Sequence, residues 1–216
     1  MKNKILIVGA TGFLGHNFAK KCLKKNFKVT CLSRNKPNKQ RYLKNASYLF
    51  ADISKKKKLS IKLNQNYDYI INFAGDIDHH GKNTFSSHFS GCKNLVDIFK
   101  KKKISKFIQI GSSVEYGKLA SPHSEKKSKV KINELKSVYA KAKLSASNYL
   151  LNIFNKEKFP VIIFRPYLVY GPGQDDNRLI PHVIKSCIED KNFPCSNGQQ
   201  YRDFIYIDDA INIIFK

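Results

Sequence analysis

Tyr139 and Lys143 are the two residues in this sequence whose types and spacing best suit proton transfer. They stand four residues apart, so a helix that contains both presents them on one face. A free phenol has a pKa of about 10, too high for a base at neutral pH, and a neighbouring ammonium favours its ionised form. A chain this rich in Lys and Tyr holds about two such pairs by chance, so the rest of the sequence has to decide whether this one is functional.

Ser112 supplies that context. It stands just after the apolar run 107–110, and the carboxyl ends of parallel strands are where open α/β sheets bind their ligands. A hydroxyl at this edge can donate a hydrogen bond to a reacting oxygen. The sequence therefore predicts a catalytic group made of Ser112, Tyr139 and Lys143.

A glycine-rich segment follows the first apolar run, 5–8, and opens the first stretch with helical spacing. Glycines in this context let the backbone turn tightly and approach a pyrophosphate, which then lies at the N-terminus of the helix. The predicted contacts of a dinucleotide here are Gly9, Thr11, Gly12, Phe13, Leu14 and Gly15.

The elements that must position these residues alternate along the chain. Continuous apolar runs, typical of strands buried on both faces, alternate with segments of helical spacing at 13–25, 85–102 and 138–155. The runs are 5–8, 29–32, 69–73, 107–110 and 161–164. This alternation predicts an α/β fold, a Rossmann-like doubly wound parallel sheet, over residues 1–165. Residues 166–216 are richer in Pro and Gly, with a helix predicted at 180–188 and a short strand at 204–207.

Composition raises and then weakens a nucleic-acid hypothesis. The formal net charge is +24, but only five of the 40 basic residues are Arg, and the Lys residues are spread along the chain. Base and phosphate recognition relies on the bidentate guanidinium, so we expect no specific nucleic-acid partner. The five cysteines are not spaced like metal ligands, which predicts a reduced, cytoplasmic protein without a metal. No apolar stretch in the sequence is long enough to predict a membrane-spanning helix.

The motifs together resemble one family. The Gly-x-x-Gly-x-x-Gly spacing, the Tyr-x-x-x-Lys pair and a Ser four residues before the Tyr of a Tyr-Gly pair are typical of extended short-chain dehydrogenases/reductases. The later segments resemble the NAD-dependent epimerase/dehydratase family, which modifies nucleotide-linked sugars. Those segments are 165–166, 170–174, 178–181 and 202–209.

The resemblance implies a role for each site residue. Tyr139 would exchange a proton with a substrate oxygen as hydride moves to or from the cofactor. Lys143 would lower the pKa of Tyr139 and hold the nicotinamide ribose, and Ser112 would bind the reacting oxygen. Arg178 and Arg202 would contact the nucleotide diphosphate. The resemblance implies further cofactor contacts. Asp52 and Ile53 would lie beside the adenine, and the cofactor would also contact Phe73, Ala74 and Gly75 at the end of the family's fourth strand.

Cofactor choice depends on the end of the second apolar run. NAD-using members of the family carry Asp where this chain has Ser33, and Arg34 follows. A carboxylate binds the ribose hydroxyls of NAD, whereas a cation accepts the 2′-phosphate of NADP. We therefore predict NADP, with NAD as the alternative.

Departures from the family pattern limit which reactions of the family we expect. Where 4,6-dehydratases carry Asp-Glu after the catalytic Ser or Thr, this chain has Ser113 and Val114, so we expect a 4-epimerase or a 4-ketoreductase. Two positions at which the family frequently has Asn carry His88 and Leu168. The sequence ends at Lys216, where relatives continue, which predicts an incomplete substrate-binding lobe and a chain that binds cofactor without turning over sugar.

Two alternatives of other classes remain open: a catalytically inactive NADP-binding regulator on the same fold, and a basic protein associated with nucleic acid. The intact group of Ser112, Tyr139 and Lys143 disfavours the first, and the low Arg content disfavours the second. The substrate partner implied is a nucleotide-sugar, and a homodimer is left open.

Overall fold

The computed structural model describes residues 2–75, 81, 83–125 and 130–216. The chain divides into two compact units, Met1–Arg165 and Pro166–Lys216.

A parallel sheet of six strands forms the first unit, in the order β3-β2-β1-β4-β5-β6. The strands are β1 (Lys4–Val8), β2 (Lys28–Ser33), β3 (Ser47–Phe50), β4 (Tyr69–Asn72), β5 (Lys106–Ile110) and β6 (Val161–Phe164). The direction of winding reverses between β1 and β4, and ligands of open α/β sheets bind at the carboxyl ends of strands beside such a reversal. The predicted Rossmann-like class is confirmed.

Four helices of this unit are α1 (Phe13–Lys24), α2 (Lys56–Lys62), α3 (Gly91–Phe99) and α4 (Val138–Glu157). The helix predicted over 85–102 is shorter than expected, because Ser86–Ser90 forms a π-helical turn that leads into α3. The Ser137 hydroxyl caps α4 by accepting a hydrogen bond from the backbone N–H of Ala140 at 3.1 Å. Strand β3 and helix α2 were not predicted.

The core of the first unit lies between the sheet and helices α3 and α4. Leu6 and Val8 of β1 belong to this cluster, together with Phe99 of α3 and Leu150 of α4. Successive side chains of a strand point to opposite faces, and Ile5 and Ile7 of β1 are buried as well. Burial on both faces explains why β1 is a continuous apolar run rather than an alternating one.

The second unit holds a parallel pair of short strands, β7 (Leu168–Tyr170) and β8 (Phe204–Tyr206). Its helices are α5 (Leu179–Ile188) and α6 (Ile207–Phe215). Ile207, predicted to end a strand, instead begins α6. Asp208 and Asp209 lie in the first turn of that helix, where the backbone dipole favours carboxylates.

All five cysteines are free thiols. Cys22, Cys31 and Cys92 are buried, and burial raises the pKa of each to about 12, whereas Cys187 and Cys195 are exposed. In the part of the chain that the structure describes, no cluster of three or more His, Cys, Asp or Glu side chains is placed to hold a metal ion. None of its described helices combines the length and the hydropathy that crossing a membrane would take.

Candidate active site

The glycine-rich segment forms a tight turn between β1 and α1. Gly9 has a φ of +78°, and a Cβ on it would lie 2.7 Å from the backbone N of Ala74. A Cβ on Gly15 would collide with the carbonyl of Gly9. The N–H of Gly9 donates to the carbonyl of Leu32 at 2.7 Å, which holds the turn beside the end of β2.

The N-terminus of α1 opens on this turn without a side-chain cap. Gly12 is the N-cap residue, and the first turn of the helix holds no acidic residue. Backbone N–H groups and the positive end of the helix dipole are therefore directed toward this turn. This arrangement fits a pyrophosphate.

At the end of β2, the buried Ser33 hydroxyl donates to the carbonyl of Asn35 at 2.7 Å, and Arg34 is exposed. A guanidinium that the motifs did not indicate contacts the glycine turn: Arg41 Nη1 donates to the carbonyl of Thr11 at 2.9 Å. The backbone of Arg41 is fixed as well, because its main-chain N–H donates to Asn38 Oδ1 at 2.9 Å. No sequence signal marked Arg41, because it stands among lysines in an irregular segment after β2.

The other predicted cofactor contacts differ in how they are placed. Asp52 accepts a hydrogen bond from the N–H of Ser54 at 2.9 Å, while the side chain of Ile53 belongs to the hydrophobic core. The ring of Phe73 packs on the ring of Phe18 with 5.4 Å between centroids. Ala74 and Gly75 are half-buried beyond the end of β4.

The structure brings Lys143 and Tyr139 together on α4. Lys143 Nζ lies 5.7 Å from the centre of the Tyr139 ring, and the ammonium donates to the carbonyl of Ile110 at the end of β5, at 2.7 Å. Burial lowers the pKa of Lys143 to about 8, against the opposing influence of the Glu115 carboxylate and the Cys92 thiol. A buried ammonium with a lowered pKa therefore lies beside the phenol of Tyr139, which was predicted to act as the acid/base group.

Ser112 lies two residues beyond the Ile110 carbonyl that Lys143 contacts. It begins the 3₁₀ turn Ser113–Tyr116, and its Oγ accepts a long hydrogen bond of 3.4 Å from the N–H of Val114. Glu115 closes a capping box with Ser112, which fixes the backbone from which the hydroxyl projects.

His88 is a second residue whose placement the sequence did not reveal. It lies in the π-helical turn before α3, is 3% exposed, and packs edge-on against the Tyr139 ring with 5.0 Å between centroids. A Cβ on Gly75 would collide with its imidazole. The position at which this chain departs from the family's Asn therefore contacts the predicted catalytic Tyr.

The two predicted substrate contacts lie in the second unit. Arg178 is the N-cap residue of α5, and its N–H donates to the carbonyl of Asp175 at 3.0 Å. Arg202 is exposed, and its Nη2 donates to Gln200 Oε1 at 3.2 Å.

Comparison with known proteins places this chain in a family. The model of the NAD dependent epimerase/dehydratase family matches residues 5–216. A dTDP-D-glucose 4,6-dehydratase of Dictyostelium discoideum is 26% identical over 97% of this chain and 54% of its own length. A UDP-N-acetyl-alpha-D-glucosaminuronate decarboxylase of Bacillus cytotoxicus is 26% identical over 98% of this chain and 70% of its own length.

Solved structures of epimerases and dehydratases also resemble this chain. A UDP-glucuronic acid 4-epimerase of Bacillus cereus, in complex with UDP-glucuronic acid and NAD, superposes with a TM-score of 0.82 at 26% identity. The match covers 98% of this chain and 72% of that one. A dTDP-glucose 4,6-dehydratase of Bacillus anthracis, 23% identical, shares the fold with a TM-score of 0.86 over 99% of this chain and 70% of its own.

These matches confirm the resemblance that the motifs carried. They extend over nearly the whole chain, while the chain spans between about half and three quarters of the length of these relatives. On the family match, the chain belongs to the NAD-dependent epimerase/dehydratase family.

Proposed function

We propose that this protein is an NAD(P)-dependent 4-epimerase or 4-ketoreductase of a nucleotide-linked sugar, with Tyr139 as the acid/base group. One observation carries the proposal: the Lys143 ammonium is buried beside the Tyr139 ring at the carboxyl end of β5. The likeness to a Bacillus cereus epimerase that binds NAD and UDP-glucuronic acid supports it.

The described residues fit a dinucleotide. The backbone of the chain itself packs against Gly9 and Gly15, which keeps the turn tight, and the N-terminus of α1 that follows it carries no side-chain cap. When bound, the nicotinamide would accept or return a hydride at the sugar. Lys143 would hold the nicotinamide ribose from its place beside Ile110, and Arg178 and Arg202 would bind the nucleotide diphosphate of the substrate.

Proton transfer is the task of the protein's own side chains. The Lys143 charge favours the phenolate of Tyr139, which would take the proton of the sugar hydroxyl during oxidation and return it during reduction. The Ser112 hydroxyl would donate to the same oxygen as negative charge develops on it.

Water elimination is not part of the proposed reaction. Ser113 and Val114 occupy the 3₁₀ turn directly after Ser112, and neither side chain is a carboxylic acid able to protonate a leaving hydroxyl. A screen of UDP-, dTDP- and CDP-linked sugars with NAD and NADP tests the proposal. We expect epimer formation or cofactor oxidation with at least one of these sugars, and a protein that binds neither cofactor would contradict it.

We further propose NADP as the preferred cofactor. No carboxylate stands at Ser33, the exposed Arg34 directly follows β2, and the Arg41 guanidinium contacts the glycine turn. The bond from Arg41 Nη1 to the Thr11 carbonyl holds the guanidinium at the glycine turn, where a cation can meet a 2′-phosphate.

Replacing Arg41 with Gln is expected to weaken NADP binding by about 10–100-fold and to leave NAD binding nearly unchanged, because a charge-assisted hydrogen bond contributes about 1.5–3 kcal/mol. Calorimetry with both cofactors measures the effect. Arg34→Gln is the parallel variant, and Lys36→Gln, exposed in the same segment, is the matched control. Equal affinity of the wild type for the two cofactors would contradict the NADP proposal.

A further inference from the structure

Glu115 is a charged residue for which the proposed mechanism has no task. It lies in the 3₁₀ turn three residues after Ser112, and its side chain is 0% exposed. Removing a carboxylate from water is costly unless hydrogen bonds and an opposite charge compensate. The hydrogen-bond and charge partners of Glu115 therefore indicate the role of this residue.

Three elements meet at the Glu115 carboxylate. Oε1 accepts from the backbone N–H of Ser112 at 2.9 Å, while Oε2 accepts from Ser147 Oγ of α4 and from Arg165 Nε after β6, both at 2.7 Å. Oε1 also fills the space that a side chain on Gly111 would need. The carboxylate joins the loop after β5, the helix that carries Tyr139 and the end of the neighbouring strand.

The contacts place Ser112 and Lys143 relative to each other. Ser147 lies one helical turn after Lys143, so α4 is tied to the β5 loop at two successive turns: by Lys143 to Ile110 and by Ser147 to Glu115. We propose that Glu115 is a positioning residue that fixes the Ser112 backbone and the Lys143 ammonium in the arrangement that the active site needs. This inference rests on the proposed function.

The charge of Glu115 acts on Lys143 as well. The titratable groups around that ammonium are Glu115 on the 3₁₀ turn, Cys92 on α3 and Tyr139 on α4, with Arg165 behind Glu115. Burial lowers the pKa of Lys143 to about 8, and the Glu115 carboxylate opposes that shift. Without the carboxylate, more of the Lys143 side chains would be neutral at physiological pH.

The test is the titration of Lys143 in Glu115→Gln, followed by NMR of ¹³C-labelled lysine and assigned by the resonance missing in Lys143→Met. We expect the Lys143 pKa to fall by about 1 unit or more, the lower end of the effect of an opposite charge nearby. Because Glu115→Gln leaves the Arg165 guanidinium without its carboxylate, Glu115→Gln/Arg165→Met is measured in parallel and is expected to show a shift of the same sign.

Glu157→Gln is the matched control. It makes the same substitution on the helix that carries Lys143, at a partly exposed carboxylate paired with Lys100, and we expect the Lys143 titration to stay in place. A Lys143 pKa that is unchanged in both Glu115 variants, whatever their unfolding temperature, would overturn the proposal. Failure of the wild type to bind NAD or NADP would instead contradict the proposed function, since the lysine titration is read without cofactor.

Discussion

Replacing Tyr139 with Phe is expected to lower turnover by about 10²–10⁴-fold, the usual contribution of a general acid/base group. The ring that packs against His88 and lies beside Lys143 remains, and only the hydroxyl that exchanges a proton is removed. Cofactor affinity should therefore persist within a few-fold. Steady-state kinetics with an accepted nucleotide-sugar, together with calorimetry of cofactor binding, separates these two effects.

Tyr149→Phe is the matched control for this prediction. Tyr149 lies on the same helix, ten residues further along, and packs edge-on against Phe89 rather than beside Lys143. We expect its turnover to stay near that of the wild type. A Tyr139→Phe protein that keeps turnover within about threefold of the wild type, far below the range for an acid/base group, would remove Tyr139 from the proposed mechanism.

Replacing Gly9 with Ala is expected to destabilise the protein by about 2–6 kcal/mol and to abolish cofactor binding. A non-glycine residue at positive φ costs about 1–3 kcal/mol, and forcing a methyl group into a packed position costs a similar amount. Both penalties apply, since Gly9 has a φ of +78° and its Cβ would lie 2.7 Å from the Ala74 N. The loss is a large part of the 5–15 kcal/mol that stabilises a typical domain. Urea unfolding measures it.

Gly12→Ala separates cofactor binding from stability. A Cβ at Gly12 would meet only the Gly9 carbonyl at 3.3 Å, and its φ of −77° is open to any residue. We expect unfolding close to that of the wild type but weaker cofactor binding, because the added methyl group lies on the surface that a pyrophosphate must approach. Equal stability of Gly9→Ala and the wild type would show that the turn relaxes without cost.

The parts of the fold that the sequence could predict are its runs of apolar residues. Strands β1, β2, β4, β5 and β6 are continuous apolar runs, and each was found within about two residues. Strand β3 was missed because it begins with Ser47 and Tyr48 and contains no aliphatic run. Helix α2 was missed because its only buried residue is Leu59, in a run of lysines that is typical of a solvated segment.

The candidate site divides in a similar way. Motifs with fixed spacing placed the glycine turn, Tyr139 and Lys143, since these depend on one element or on two neighbouring ones. Arg41, His88 and Glu115 were not identified as site residues, because their significance comes from contacts between distant parts of the sequence. Arg41 and Thr11 are 30 residues apart, Glu115 and Ser147 are 32 apart, and His88 packs against Tyr139 of another helix. Pairings of that kind depend on the order of strands in the sheet, which no local pattern encodes.

The distribution of thiols makes the second unit selectively accessible to chemical probes. A thiol with a pKa of about 12 is almost entirely protonated at neutral pH, and only the thiolate reacts with alkylating reagents. Cys22, Cys31 and Cys92 of the first unit are therefore protected from such reagents, because they are buried and because their thiols stay protonated. Cys187 and Cys195, both exposed, lie in the second. A maleimide dye added to the native protein should thus mark residues 166–216 alone, and a fluorophore could be attached to the region of Arg178 and Arg202 without engineering a new cysteine.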